Sequence, residues 1–415
     1  MSLLYDHQRQ IARKGIEIFR QYGILYLAMQ VRTGKTLTAL TVCYLHEAAR
    51  VLFVTRKGAI SNILADYELL GRQCDHIFSL QVINYESLHK VSKDFIPEIV
   101  IIDEAHNIGT YPKPSLRAKN VKKLCHGVPV IFLSGTPSPE SYSQLFHQFW
   151  VSDRTPWAAY KNFYAWARDY VNIRRMHYGG LQFNDYSQAN KSKIAADIRR
   201  YVITLSQKEA GITQNVDENI LTVPCPPKLD NLMQFLKKDR VTPYNDTHIL
   251  GDTAVKLMSK IHQLSGGTFL DEEGKAHIVS DFKAQYIKWK FEGQHIAIFY
   301  KFQAEGELLN GVFPHWTADP DEFYRSRSKT FIRQVVSGRE GISLRTADAL
   351  VMYSIDYSAL SYFQSIARIQ DIRRTNPALL FWVFTESRLK FEHEVYRAVS
   401  SKKDYTLDYF KKMYL

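Results

Sequence analysis

The stretch that most constrains this chain is Leu25–Leu40, LYLAMQVRTGKTLTAL. A short apolar run, Leu25 to Met29, gives way to Gln30-Val31-Arg32-Thr33-Gly34-Lys35-Thr36 and then to a helix-forming tail. A buried strand, a tight loop and a helix start in that order aim backbone N–H groups and a positive helix end at one point, the arrangement an anion of phosphate size requires. Gly34 leaves room for phosphate oxygens against the backbone. Lys35 has the length to meet the β- and γ-phosphates of ATP, and the Thr36 hydroxyl is of the type that ligates Mg²⁺. Met29 stands where the pattern G-x-x-x-x-G-K-[ST] has its first glycine. The G-K-T core alone is therefore open to a second reading, a chance tripeptide in a loop. The rest of a nucleotide machine has to stand at the right places downstream.

Beyond Leu40, short apolar runs alternate with helical or loop segments. The runs are Val51–Thr55, Leu80–Asn84, Ile99–Asp103 and Val128–Leu133. Buried strands joined by crossovers mean a parallel α/β sheet, with ligands at the carboxyl ends of its strands. Tyr5–Tyr22 reads as an amphipathic helix stopped by Gly23. From Pro139 to about Gly211 the sequence turns aromatic, basic and helix-like, which reads as a helical insertion (139–211) with a strand only at its end. Ile220–Pro224 reads as a strand returning to the first sheet, and Pro224-Cys225-Pro226-Pro227 as the boundary between domains 1–226 and 227–415. Helices over Lys228–Lys238 and Thr253–Leu264 and a small hairpin around Asp271–Gly274 precede a second α/β pattern. That pattern runs through His295–Tyr300, Phe331–Val336, Ala349–Ser354 and Leu379–Thr385.

The second decisive stretch is Val100-Ile101-Ile102-Asp103-Glu104-Ala105-His106. A buried strand ending in adjacent carboxylates is the form of a Walker B site. Asp103 holds Mg²⁺ in that reading, and Glu104 orients and activates the attacking water. The bland alternative, a strand end capped by solvated acids, loses because the pair comes a few α/β units after a G-K-T loop. His106 is expected to couple this site to Ser134-Gly135-Thr136-Pro137, again at a strand end, where a plain β-turn is the competing reading.

In this order the pieces form a recognisable set. The chain resembles the superfamily 2 helicases, and within them the Swi/Snf-type ATPases in their small phage or bacterial form. Tyr5–Gln8 resembles the adenine-reading Q motif, with Gln8 its reader. Met29–Thr36 resembles motif I, whose relatives often replace the first glycine, so that Arg32, Thr33 and Gly34 join Lys35 and Thr36 in holding the nucleotide. Thr55-Arg56-Lys57 resembles the first nucleic-acid contact, and Val82–Leu88 the x-Y-E-x-L segment. Asp103–His106 and Ser134–Pro137 resemble motifs II and III. Ile298–Phe302, Arg339–Leu344 and Gln364–Arg368 resemble motifs IV, V and the start of VI.

The resemblance implies an α/β fold of two RecA-like parallel-sheet lobes with helical insertions and an ATP cleft between them. ATP and Mg²⁺ are the implied cofactors, with Gly341 of motif V beside the nucleotide and lobe 2 supplying arginine fingers. Motif VI ordinarily reads Q-x-x-x-R-x-x-R. Here Gln364 and Arg368 fit, but Asp371 occupies the second arginine position, so Arg373 or Arg374 is expected to replace the missing finger. A solvated or DNA-facing basic pair is the competing reading of those two residues.

A formal net charge of +12 accords with a polyanionic partner. Arg56, Lys57, Tyr85, Ser337 and Arg339 are the candidate nucleic-acid contacts. Lys119, Lys122 and Lys123 read equally well as a DNA-facing ridge or a solvated helix face. The aromatic residues of the insertion, Trp150 to Tyr170, read chiefly as a packed core. DNA is the expected partner, duplex ahead of single-stranded, with RNA open and protein partners expected. Isolated cysteines and the lack of an apolar span or leader predict a soluble protein of the cytoplasm, the host's if phage-encoded. The resulting expectation is an ATP-dependent DNA translocase. A strand-unwinding DNA or RNA helicase and an ATP-binding regulatory clamp with weak hydrolysis are the two alternatives.

Overall fold

The alternating apolar runs resolve into two units, Met1–Gly211 and Ile212–Leu415, each built on its own six-stranded parallel sheet. The computed structural model describes residues 4–74, 77–92, 94–178, 181–211, 216–335, 344–370, 374 and 377–401.

In the first unit the strands are β1 (Ile24–Met29), β2 (Arg50–Thr55), β3 (Ser79–Asn84), β4 (Ile99–Ile102) and β5 (Val130–Leu133), then β6 (Arg174–Tyr178), β7 (Leu181–Asp185) and β8 (Val202–Leu205). The sheet order is β3-β2-β4-β5-β1-β8, so the strand feeding Gly34 lies inside the sheet between β5 and β8. Side chains alternate across it. Leu25, Leu27 and Met29 pack with helices α1 (Asp6–Tyr22), α2 (Lys35–Leu45) and α3 (Ile60–Gly71) on one face. Ile24 and Tyr26 pack on the other with α4 (Leu116–Leu124), α5 (Gln144–Trp150), α6 (Phe163–Tyr170) and α7 (Lys191–Ile198). Burial on both faces is why these strands read as unbroken apolar runs.

The insertion carries the aromatic core expected of it. Phe163 and Trp166 are buried, Trp166 stacks on Tyr170 with centroids 4.9 Å apart, and the Trp157 indole and Tyr170 hydroxyl both donate to Asp197 Oδ2 at 3.0 and 2.6 Å. It is not purely helical, however. β6 and β7 form an antiparallel hairpin that the helical reading passed over. Its sequence signal was the Gly179-Gly180 pair between two short runs.

The second unit begins with β9 (Val216–Pro224), which pairs parallel with β18 (Ala378–Glu386) from Val216 opposite Ala378 to Pro224 opposite Glu386. This corrects the expectation that Ile220–Pro224 returns to the first sheet. The division between units accordingly falls between Gly211 and Ile212, upstream of the expected boundary at 226/227. The remaining strands are β10 (Val241–Tyr244), β11 (Thr247–Leu250), β12 (Thr268–Leu270), β13 (Ala276–Ile278), β14 (Ile296–Tyr300), β15 (Trp316–Thr317), β16 (Thr330–Gln334) and β17 (Ala349–Met352). The sheet runs β15-β16-β14-β17-β18-β9, with β10-β11 and β12-β13 as separate two-stranded hairpins.

Its helices are α8 (Pro227–Asp239), α9 (Ala254–Ser265), α10 (Phe282–Lys290), α11 (Gln303–Val312), α12 (Pro320–Arg325), α13 (Ala359–Ile369) and α14 (Phe391–Ser400). The Lys283 ammonium of α10 donates to Glu392 Oε1 of α14 at 2.7 Å, and both side chains are fully buried. Both sheets have the parallel, helix-flanked form of a RecA-like lobe. No described helix is long and apolar enough to cross a membrane.

Candidate active site

In the first unit, motifs I, II and III emerge at the carboxyl ends of three adjacent strands, β1, β4 and β5. The Gln30–Gly34 loop is fastened from several sides. Gln30 N donates to Leu205 O at 2.9 Å, Gln207 N donates to Gln30 Oε1 at 2.7 Å, and Thr33 Oγ1 donates to Gln30 O at 2.7 Å. Gly34 has φ 80° and caps α2 in the left-handed region, where a side chain is disfavoured. Arg32 also has positive φ, at 68°. Lys35 Nζ donates to Gln30 O at 3.3 Å and lies 3.6 Å from where a Cβ on Gly135 would stand. Motif III is thus packed directly against the loop. Gln8 is buried, accepts from Tyr5 N at 3.0 Å and donates from Nε2 to Thr33 O at 3.5 Å.

Asp103 and Glu104 stand directly after β4. Asp103 N donates to Val54 O at 2.9 Å, Thr55 Oγ1 donates to Asp103 Oδ2 at 2.8 Å, and Glu104 N donates to Asp103 Oδ1 at 2.9 Å. Burial, then the neighbouring Glu104 carboxylate, push the Asp103 carboxyl up to about 6, while the Thr55 hydroxyl and the Lys35 ammonium pull it down. Glu104 adopts φ 47°, ψ 51°, which turns its side chain out of the strand direction. His106 Nδ1 lies 3.3 Å from Glu104 Oε2 and 3.2 Å from Ser134 Oγ, and so joins motif II to motif III.

These residues fit a triphosphate with Mg²⁺. A left-handed glycine heads a helix, one ammonium sits beside it, and burial and the neighbouring Glu104 raise the proton affinity of the Asp103 carboxylate where a cation would relieve it. Thr36 and Asp103 would hold the metal, and Lys35 with the Arg32–Gly34 backbone the phosphates. A cavity of about 930 Å³ lies alongside but is a different space: Gln30, Gly135, Tyr26, Ala28 and Thr204 line it, and Lys35, Asp103 and Glu104 do not.

In the second unit, Gln364 and Arg368 share one side of α13, and Arg368 Nε donates to Gln364 O at 3.1 Å. Both are buried, and among the described residues Gln364 Oε1 has no hydrogen-bond partner.

No protein-family model matches the chain. Among solved structures it is similar to the Sulfolobus solfataricus SWI2/SNF2 ATPase core in complex with dsDNA, at 16% identity and a TM-score of 0.42, over 99% of this chain and 92% of that one. It is 22% identical over 336 residues to the CHD3-type chromatin-remodeling factor CHR7 of Arabidopsis thaliana, an alignment covering 73% of this chain and 26% of that protein. The chain thus spans about a quarter of the length of that relative. This chain is similar to the Swi/Snf-type helicase-like ATPases of superfamily 2.

Against the Swi/Snf-type pattern, several expected residues sit differently. Arg374 is buried and spent on the backbone: Nη1 donates to Arg345 O at 2.9 Å, and Nη2 to Ala347 O at 2.7 Å and Pro377 O at 2.9 Å. It locks a loop and is not presented as a finger. Arg373, Asp371, Ser337, Arg339 and Gly341 lie outside the described residues. Tyr85, expected at a nucleic-acid contact, is buried, with its hydroxyl donating to Asp103 O at 2.5 Å, so it holds the Walker B backbone in place. Arg56 Nη2 donates to Asn107 Oδ1 at 2.6 Å, and Asn107 Nδ2 to Glu104 O at 2.9 Å, while Lys57 is exposed. Lys122 turns inward, donating to Trp150 O at 2.7 Å and covering that indole at 4.4 Å, whereas Lys119 and Lys123 are exposed. Thr55, expected with Arg56 and Lys57 at a nucleic-acid contact, instead donates to Asp103, and Asn107 was missed by sequence reading because its partners are a remote side chain and a backbone carbonyl.

Proposed function

We propose that this chain is a DNA-dependent ATPase that converts ATP hydrolysis into movement along duplex DNA. The observation that carries the reading is the convergence of Lys35, Asp103, Glu104 and Ser134–Pro137 at neighbouring strand ends of one RecA-like sheet. Thr36 and Asp103 would hold Mg²⁺, which would supply Lewis-acid charge at the phosphates. Lys35 offsets further phosphate charge, and Glu104 orients a water and takes its proton. His106, shared between Glu104 and Ser134, ties the state of that base to motif III. By their likeness to motif VI, Gln364 and Arg368 are assigned to the hydrolysis step, Arg368 to the charge on the transferring phosphoryl group.

Duplex DNA is favoured as the track because the motifs resemble the Swi/Snf type, because CHR7 bears the name of a chromatin-remodeling factor, and because the chain is strongly basic. Such motors grip phosphates, so Arg56 and Lys57 need no base code. The test is ATP turnover with duplex DNA, single-stranded DNA and RNA. Duplex DNA should stimulate most, and Lys35→Ala should abolish the response, at least about a hundredfold. Absence of stimulation by every polymer would overturn the motor reading. Strand displacement by the purified protein would turn the translocase into a helicase.

A further inference from the structure

Among the described residues, those of the β6–β7 hairpin belong to neither core cluster of the first unit. Its base is fixed. Val171 bridges Ala189, Asn172 N donates to Gln188 O at 2.9 Å, Asn190 N donates to Tyr170 O at 2.7 Å, and Val171 and Tyr186 are buried. Beyond that base Arg174, Arg175, Met176, Gln182, Phe183 and Asn184 are all exposed. Five residues per strand carry the ribbon roughly 17 Å outward. A lone two-stranded ribbon is marginal in water, and these six exposed side chains serve no core of their own.

Met176 and Phe183 stand directly opposite one another in the register, 45% and 51% exposed. Two large apolar side chains at adjacent places on a projecting ribbon await something flat and apolar. The charge around them is positive. The ribbon's one described acid, Asp185, turns its carboxylate back to the Ser187 N–H and hydroxyl at 2.9 and 2.8 Å. Arg174 and Arg175 point to opposite faces, as successive strand residues do, and neither has an ion-pair partner among the described residues. Apolar pair and outward cations together match a polyanion whose bases offer flat apolar faces. In nucleic acids, apolar side chains wedge between base steps while arginines hold the flanking phosphates.

We propose that the β6–β7 hairpin is a nucleic-acid wedge, with Arg174 and Arg175 on phosphates and the Met176–Phe183 pair packed against bases where the two strands of a duplex part. This rests on the DNA-motor reading. The experiment uses the full chain with a forked duplex carrying 2-aminopurine at the junction, comparing wild type with Met176→Ala/Phe183→Ala and with Arg174→Ala/Arg175→Ala. Wild type should raise the 2-aminopurine fluorescence on binding. The apolar double variant should lose that rise and bind the fork roughly tenfold more weakly. Its ATP turnover without DNA and its melting temperature should not change. The arginine variant should lower the log–log salt slope of binding by about 2.

A stimulated, folded wild type whose apolar variant unstacks and binds the fork as before overturns the wedge alone, and leaves the hairpin as a surface for another macromolecule. A wild type that binds no nucleic acid overturns the motor reading with it.

Discussion

The amide of Gln8 occupies the space a side chain on Gly34 would need: a Cβ built there would lie 1.8 Å from Gln8 Nε2. Helix α1 and the phosphate loop are therefore fitted to one another through a missing methyl group.

Gly34→Ala carries two independent penalties. The left-handed backbone at φ 80° disfavours any L side chain by about 1–2 kcal/mol, and the new methyl must also displace Gln8. ATP affinity, measured by calorimetry, should fall at least tenfold, by roughly 1.4 kcal/mol or more. Gln8→Ala/Gly34→Ala should recover part of that loss by removing the clash but not the backbone cost. Wild-type affinity in the single variant would show that the loop does not bind phosphate in this conformation.

Metal binding should depend on pH through Asp103. Its carboxyl is pushed from an ordinary 3.8 up to about 6, chiefly by burial and then by Glu104. A carboxyl raised on folding makes the native state the better proton binder, so the metal-free lobe loses stability as pH rises from about 4 to about 6 and loses no more above that. Mg²⁺ competes with that proton. The Mg²⁺ concentration for half-maximal ATP turnover should thus rise about tenfold per pH unit below about 6. Thr55→Val removes the hydroxyl that favours the carboxylate and should shift the rise to higher pH. A flat Mg²⁺ requirement across this range would contradict Asp103 as the ligand.

Arg368 and Arg374 should separate cleanly. Losing Arg374 strands the carbonyls of Arg345, Ala347 and Pro377, so Arg374→Ala should cost about 3 kcal/mol of stability, read from denaturant unfolding. Arg374→Lys should recover little, because an ammonium lacks the planar fork. Arg368→Ala should keep ATP binding and lose hydrolysis at least about a hundredfold. A catalytic defect without a stability defect in Arg374→Ala would restore it as a finger.

The chemistry-bearing strands were legible because each is buried on both faces and ends in a polar motif. VIIDEAH announces both a buried strand and what stands at its end. What sequence could not carry was pairing. β9 has exposed and half-buried residues along its length, and nothing in it says which sheet edge it joins. Thr55 donates to a carboxylate 48 residues away, a link that exists only once β2 and β4 are neighbours. Tyr85 looked like a contact residue because its motif is one, yet its hydroxyl serves the Asp103 carbonyl from inside the core. The Arg373-Arg374 pair looked symmetric in sequence, and the fold uses Arg374 for loop carbonyls.

The most direct test of the central claim is ATP turnover by wild type and Glu104→Gln, with and without duplex DNA, alongside ATP affinity. Wild type should be stimulated by DNA. Glu104→Gln should bind ATP as well as wild type yet turn it over at least about a hundredfold more slowly under both conditions. Undiminished turnover in Glu104→Gln would contradict the account.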